Sequence, residues 1–172
     1  MNDTRHAITV TETAHREIEA FVHLEARLAD ESRYPEWEAL VTDDMHYWVP
    51  AGPATGDPSE SLSYINDNRA RLSTRLRQLR TGNRHAQTPA SPMRRIVSNL
   101  EVLDHTSAPE EYRVGANFVL YELAAQATHG LRIWPGRTTL TLRRVDGDLK
   151  MAAKVVELVT ATEPQPNLTC LI

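Results

Sequence analysis

Residues 21–50, FVHLEARLADESRYPEWEALVTDDMHYWVP, hold in succession a helix, a second helix started by a proline, an acidic corner and a strand. Upstream, Thr13 is placed to cap a helix that runs to about Asp30. Ile18, Phe21, Val22, Leu28 and Ala29 recur at the spacing of one helical face. Glu25 falls near the centre of that stripe, where a lone carboxylate is costly to bury. It can be a structural anchor paired with an arginine or tyrosine, a pocket acid or base, or an exposed group. Tyr34-Pro35 opens the next helix, since a proline in the first turn loses no hydrogen bond. Trp37, Leu40 and Val41 give it a short apolar face, and Asp43-Asp44 ends it. MHYWV then reads as a strand stopped by Pro50, because aromatic and β-branched residues dominate it.

Working outward, residues 1–12 form a polar arm without periodicity, and residues 13–172 read as a single domain. Residues 51–60, AGPATGDPSE, are a loop by composition. Between Ser61 and Arg80 one long helix competes with a strand LSYI followed by a helix from about Asn68. The second reading is preferred. Asp67 can cap, Arg69 interrupts the longer stripe, and a strand here can pair back with MHYWV. Gly82 is placed to end that helix, whose Arg69, Arg71, Arg75, Arg77 and Arg80 make either a solvated basic face or a surface for an acidic partner. After a loop at 83–93, four long strand-like segments follow: RRIVSNLEVLD, EYRVGANFVLYELAAQ, LRIWPGRTTLTLRRV and DLKMAAKVVELVTA. Turn signals at HTSAPE, THG and DGD split them into an antiparallel meander. Helices first and sheet last predict an α+β fold, with a strongly curved antiparallel sheet wrapped around the first helix.

Composition narrows the function. A net charge of −4 gives no reason to expect nucleic acid or an anionic membrane surface. No apolar run approaches the ~20 residues of a membrane span, and the polar start MNDTRHAITVTET is unlike a signal peptide, so a cytoplasmic protein is expected. A single cysteine, Cys170, excludes an internal disulfide and a cysteine-rich metal site. There is no G-x-S-x-G and no phosphate-cradling glycine loop. Trp37, Trp48 and Trp134 read as core or interface residues.

Four spaced motifs resemble one family. Glu25-Ala26-Arg27-Leu28, Asp30-Glu31 and the following Trp37, Leu40, Asp43-Asp44, Tyr47 and Pro50 are similar to the start of the beta (small) subunit of aromatic-ring-hydroxylating dioxygenases. Arg69, Arg71, Leu72 and Arg77 to Gly82 resemble a second motif, and Pro89 to Asn99, PASPMRRIVSN, a third. Asp146 to Ile172, with DGDLKMAAKVVELV and NLTCLI, resembles the ending. The resemblance implies a cystatin-like, nuclear-transport-factor-like cone. It also implies a non-catalytic subunit scaffolding an alpha subunit, as a homotrimer within an alpha-three beta-three complex of aromatic compound catabolism.

The residues agree with that division of labour. A Rieske cluster takes two cysteines and two histidines, and this chain has one cysteine. A mononuclear iron site takes two histidines and a carboxylate on one open face, whereas His6, His15, His23, His46, His85, His105 and His129 are scattered. No cofactor or metal is therefore expected on this chain; cluster and iron belong on the alpha subunit. The trimer contact is expected on the outer sheet face. Ile96, Leu100 and Val102 are read there as one side of a strand, with Val97 and Leu103 on the other. The apolar ending Leu168, Cys170, Leu171 and Ile172 joins that contact, with Arg94, Arg95 and Arg137 around it. Two alternatives remain on the same fold: a stand-alone isomerase, dehydratase or cyclase using Glu25, Asp44, His46 or Tyr47, or a ligand-binding cone without chemistry.

Overall fold

The computed structural model describes residue 8 and residues 10–80, 91–124, 130–166, 168 and 170–172. Gly82, most of the 83–93 loop, most of the 1–12 arm, the turn at 128–129 and His6, His85 and His129 lie outside the described residues.

Helix α1 spans Glu12–Asp30. Its cap is Thr11, whose hydroxyl accepts from the Ala14 N–H at 3.2 Å, so Thr13 lies inside the first turn instead of capping it. Both threonines suit the role; Thr11 wins by leaving Glu12 helical, where it pairs with Arg16 one turn on. Helix α2 is a single turn and a half, Tyr34–Glu38, with Pro35 in its first turn as the sequence suggests; it ends before Leu40, and Val41 and Asp43-Asp44, expected as its apolar face and its end, lie in the next strand. Strand β1 runs Val41–Pro50 and β2 Ser63–Asn68. Helix α3, Arg69–Arg80, starts at Asn68, whose side chain accepts from the Arg71 N–H at 3.0 Å. Asp67 is not the cap: its carboxylate bonds the Arg75 guanidinium at 2.5 Å. The strand-then-helix reading of residues 61–80 thus describes the chain.

Four long strands follow: β3 Met93–Ser107, β4 Glu110–Ala124, β5 Gly130–Val145 and β6 Asp148–Leu158. Each pairs antiparallel with the next. The β5–β6 turn is Asp146-Gly147, with φ of 52° and 91°; two successive positive φ values match the twist of a tight hairpin.

The sheet departs from the expected strongly curved, antiparallel cone. Its order is β2-β1-β6-β5-β4-β3, and β1 runs parallel to β6, so the sheet is mixed. It is open, with β2 and β3 as edges, and it is not strongly curved. The physical reason lies in one non-local pairing. Antiparallel neighbours are announced by turns, but Tyr47 meets Lys154 across more than a hundred residues with no local signal. The three helices and the inward residues of all six strands share one core, which includes Ile18, Trp37, Tyr47, Ile65, Leu72, Leu76, Leu120, Leu140 and Met151.

Bulges correct a second expectation. In β3 the register slips between Ser98 and Glu101, at Asn99 with φ 53°, and again between Val102 and Asp104. An extra residue reverses the in–out alternation. Val97, Leu100 and Val102 therefore all pack against the core, while Ile96 points outward at 61% exposure. Ile96 does not share a face with Leu100 and Val102.

Candidate functional site

Two surfaces carry the residues singled out by the sequence: the inner face, which holds a closed charge cluster, and the outer face, which is open.

Glu25 sits in the apolar stripe of α1 and is buried. Its Oε1 accepts from Lys154 Nζ at 2.7 Å and from the Trp37 indole N–H at 2.8 Å. Lys154 reaches it because the inward positions of β6 run Lys154, Val156, Leu158. Trp37 reaches it because α2 folds back across α1. Burial alone pushes the Glu25 carboxyl upward, but the charges of Lys154 and Arg95 and the bonds from Lys154 and Trp37 outweigh it and hold it below the ordinary range. Burial pulls the Lys154 ammonium down, as does the like charge of Arg95, against the attraction of Glu25. Arg95, inward on β3, bonds Asp30 at 2.7 Å through both its backbone N–H and Nε. Burial pulls its guanidinium down, and Glu25 and Asp30 more than offset this. Two acids and two bases are thus buried together and balanced.

The segment Cys170–Ile172 closes the cluster. Arg95 Nη2 donates to the Leu171 carbonyl at 2.8 Å. The Tyr47 hydroxyl donates to the Ile172 carbonyl at 2.9 Å and accepts its N–H at 3.1 Å. Burial pushes the Tyr47 hydroxyl well above its ordinary pKa, so it stays protonated and can hold both bonds.

Of the candidates from sequence, Glu25, Arg95, Cys170, Leu171 and Ile172 come together here, and Leu168 is half-buried against the same core. Arg95 and Cys170–Ile172 are covered by their own chain, so they offer a partner almost no surface. Asp44 and His46 are elsewhere. Asp44 leaves the ladder where β1 is irregular; it pairs with Arg143 at 2.9 Å and takes a bond from Thr42. His46 faces away from the core and bonds Asn66 Oδ1 at 2.8 Å. Alternation along β1 separates His46 from Tyr47, so Glu25, Asp44 and His46 do not assemble one site. Lys154, Asp30 and the Trp37 indole were missed from sequence. The available signal was a lysine within the otherwise apolar run MAAKVV.

No group of three histidine, cysteine, aspartate or glutamate side chains capable of holding a metal exists among the described residues. A Rieske cluster does not fit this donor set, because Cys170 is the single cysteine in the chain.

The outer face is different. Ile96 pairs with Val119 and Val119 with Pro135; Tyr121 pairs with Ile133, and Leu123 with Leu131. These cross-strand neighbours form a continuous apolar patch, with Leu131 at 60% and Ile133 at 54% exposure. Further along, Arg137 bonds Glu101 at 2.7 Å and Asn117 at 2.9 Å. Its guanidinium lies over Gly115, where a β-carbon would collide with it. Arg94 is exposed at the sheet edge beside the patch.

The chain belongs to the ring-hydroxylating dioxygenase beta-subunit family, whose model matches residues 24–165. It is a beta subunit of an aromatic-ring dioxygenase, and hence part of an oxidoreductase complex. Over 140 residues it is 35% identical to the small oxygenase component of the p-cumate 2,3-dioxygenase system of Pseudomonas putida, covering 80% of this chain and 75% of that protein. The solved beta subunit of benzoate 1,2-dioxygenase from Burkholderia mallei superposes with a TM-score of 0.70 at 20% identity, over 95% of this chain and 99% of that one. A naphthalene 1,2-dioxygenase structure superposes at 0.80 with 17% identity, over 96% and 90%. At such identities the superpositions speak for the fold alone.

Proposed function

We propose that this subunit contributes structure and no catalytic residue, as a homotrimer that supports an alpha subunit in an alpha-three beta-three complex. The alpha subunit holds the Rieske cluster and the mononuclear iron that act on an aromatic ring. The observation that carries this reading is the contrast between the faces. The inner polar groups are satisfied within the chain, with side-chain exposures of 5% for Glu25 and 2% for Lys154. The outer face leaves large aliphatic residues in water, which marks a surface that a partner covers. The self-contact is placed on Ile96, Tyr121, Leu131 and Ile133, with Arg94 and Arg137 at its rim. It should bury upwards of ~1,200 Å² in total. No helix among the described residues is long and apolar enough to cross a membrane, and a cytoplasmic location is part of the proposal.

The test is light scattering and metal analysis on the purified chain, alone and with its alpha subunit. A trimer without iron, and ring hydroxylation only after the alpha subunit is added, is the expected result. A monomer at micromolar concentration would defeat the assembly. Stoichiometric iron on the chain alone would defeat the division of labour.

A further inference from the structure

A cleft of about 320 Å³ opens where the last turns of α1 meet the start of β3. His23 and Arg27, one helical turn apart, line it from α1, and Arg94 lines it from β3. All three are exposed. Ala26 and Val97 give it an apolar floor. Its two acids are already engaged: Asp30 by Arg95 at 2.7 Å and Glu31 by Arg33 at 3.1 Å. Glu36, which acts on Arg27 from nearby, is bonded by Arg33.

Arg27 and Arg94 stand apart. Arg16, Arg33, Arg69, Arg75, Arg80, Arg95, Arg137, Arg143 and Arg144 each have a carboxylate partner. Among the described residues Arg27 has none, and Arg94 donates only to the Met93 carbonyl. Other arginines also lack such a partner, but these two share one cleft. The helix end does not cancel their charge, since the carbonyls of Arg27, Leu28 and Ala29 are already taken by the N–H groups of Glu31, Arg33 and Ser32.

We infer that this cleft is a carboxylate-binding site, with Arg27 and Arg94 clamping the carboxylate and Ala26 and Val97 contacting the apolar body that carries it. Planar guanidinium groups suit that ligand, and the floor favours an organic acid over a bare inorganic anion. The carboxylate is either a soluble organic acid or an acidic side chain of a chain docked at the adjoining sheet edge. The site itself does not depend on the proposed assembly.

The experiment titrates the isolated chain with sodium benzoate at constant ionic strength, following arginine side-chain signals by NMR, with sodium chloride and inorganic phosphate as comparisons. Saturable shifts confined to Arg27, Arg94 and their neighbours are expected, weakened about ten-fold or more in Arg27→Gln/Arg94→Gln. A response no different from chloride, or tighter binding of phosphate than of benzoate, overturns the assignment. The titration is then repeated on the assembled complex. Binding that persists identifies a soluble acid. Binding blocked by assembly, with the double variant dissociating at lower salt, identifies a side chain of the partner. Failure to assemble at all counts against the proposed function and leaves the benzoate result standing on its own.

Discussion

The inner and outer faces of the sheet solve opposite problems. Inside, Glu25, Asp30, Arg95 and Lys154 are charges removed from water, and each is held by a partner within about 3 Å. Outside, Ile96, Leu131 and Ile133 are apolar groups left in water, with nothing among the described residues to cover them. The inner face satisfies its charges within a single chain; the outer face leaves its apolar side chains exposed, and the proposed assembly would cover them. Substitutions inside should therefore be read in folding, and those outside in assembly.

The largest effect is expected at Glu25. Glu25→Ala leaves Lys154 buried without its carboxylate and should cost roughly 3–5 kcal/mol in chemical denaturation. Glu25→Leu combined with Lys154→Met removes both charges and should recover most of that loss. A double variant as unstable as the single one would show that the pair is more than mutually compensating. Acid should probe the same pair. The folded-state pKa of Glu25 lies below its ordinary 4.5, so its contribution is full above that value and drains as pH falls through the lowered one. The double variant should lose less stability than the wild type as pH falls below the ordinary 4.5 of Glu25; parallel curves would remove Glu25 as the source.

Next comes Tyr47→Phe, which deletes both bonds to Ile172 and should cost about 1–3 kcal/mol, because a buried N–H and carbonyl lose their partner. Faster proteolytic loss of the 168–172 segment should accompany it. The smallest effect on folding is predicted for Ile133→Asp, at less than about 0.5 kcal/mol. Light scattering should nonetheless show that this variant fails to self-associate. If it unfolds the subunit and leaves the oligomer untouched, the contrast between the faces is wrong.

Some of this was legible in the residues. Glu25 within an apolar stripe announced a charge in need of a partner, and Asp146-Gly147 announced the hairpin. The partner was not legible. Lys154 lies 129 positions away, on a strand whose inward face depends on a bulge at Ala152. Nor were the outward residues of β3, because the positive φ of Asn99 reverses the alternation that sequence reading assumes.

By itself the sequence determined what is local or compositional. Helical stripes, turn pairs and β-rich runs place most helices and strands to within a few residues, since they depend on neighbours along the chain, although Val41 to Asp44, read as the end of α2, belong to β1. The four spaced motifs led to the family. Tertiary structure alone decided what depends on distant partners. It set β1 parallel to β6, left the sheet open, drew Cys170–Ile172 into the core, and joined Glu25 to Lys154. The physical reason is that such pairings are chosen by burial and charge balance across the whole fold, and short-range periodicity carries no record of either.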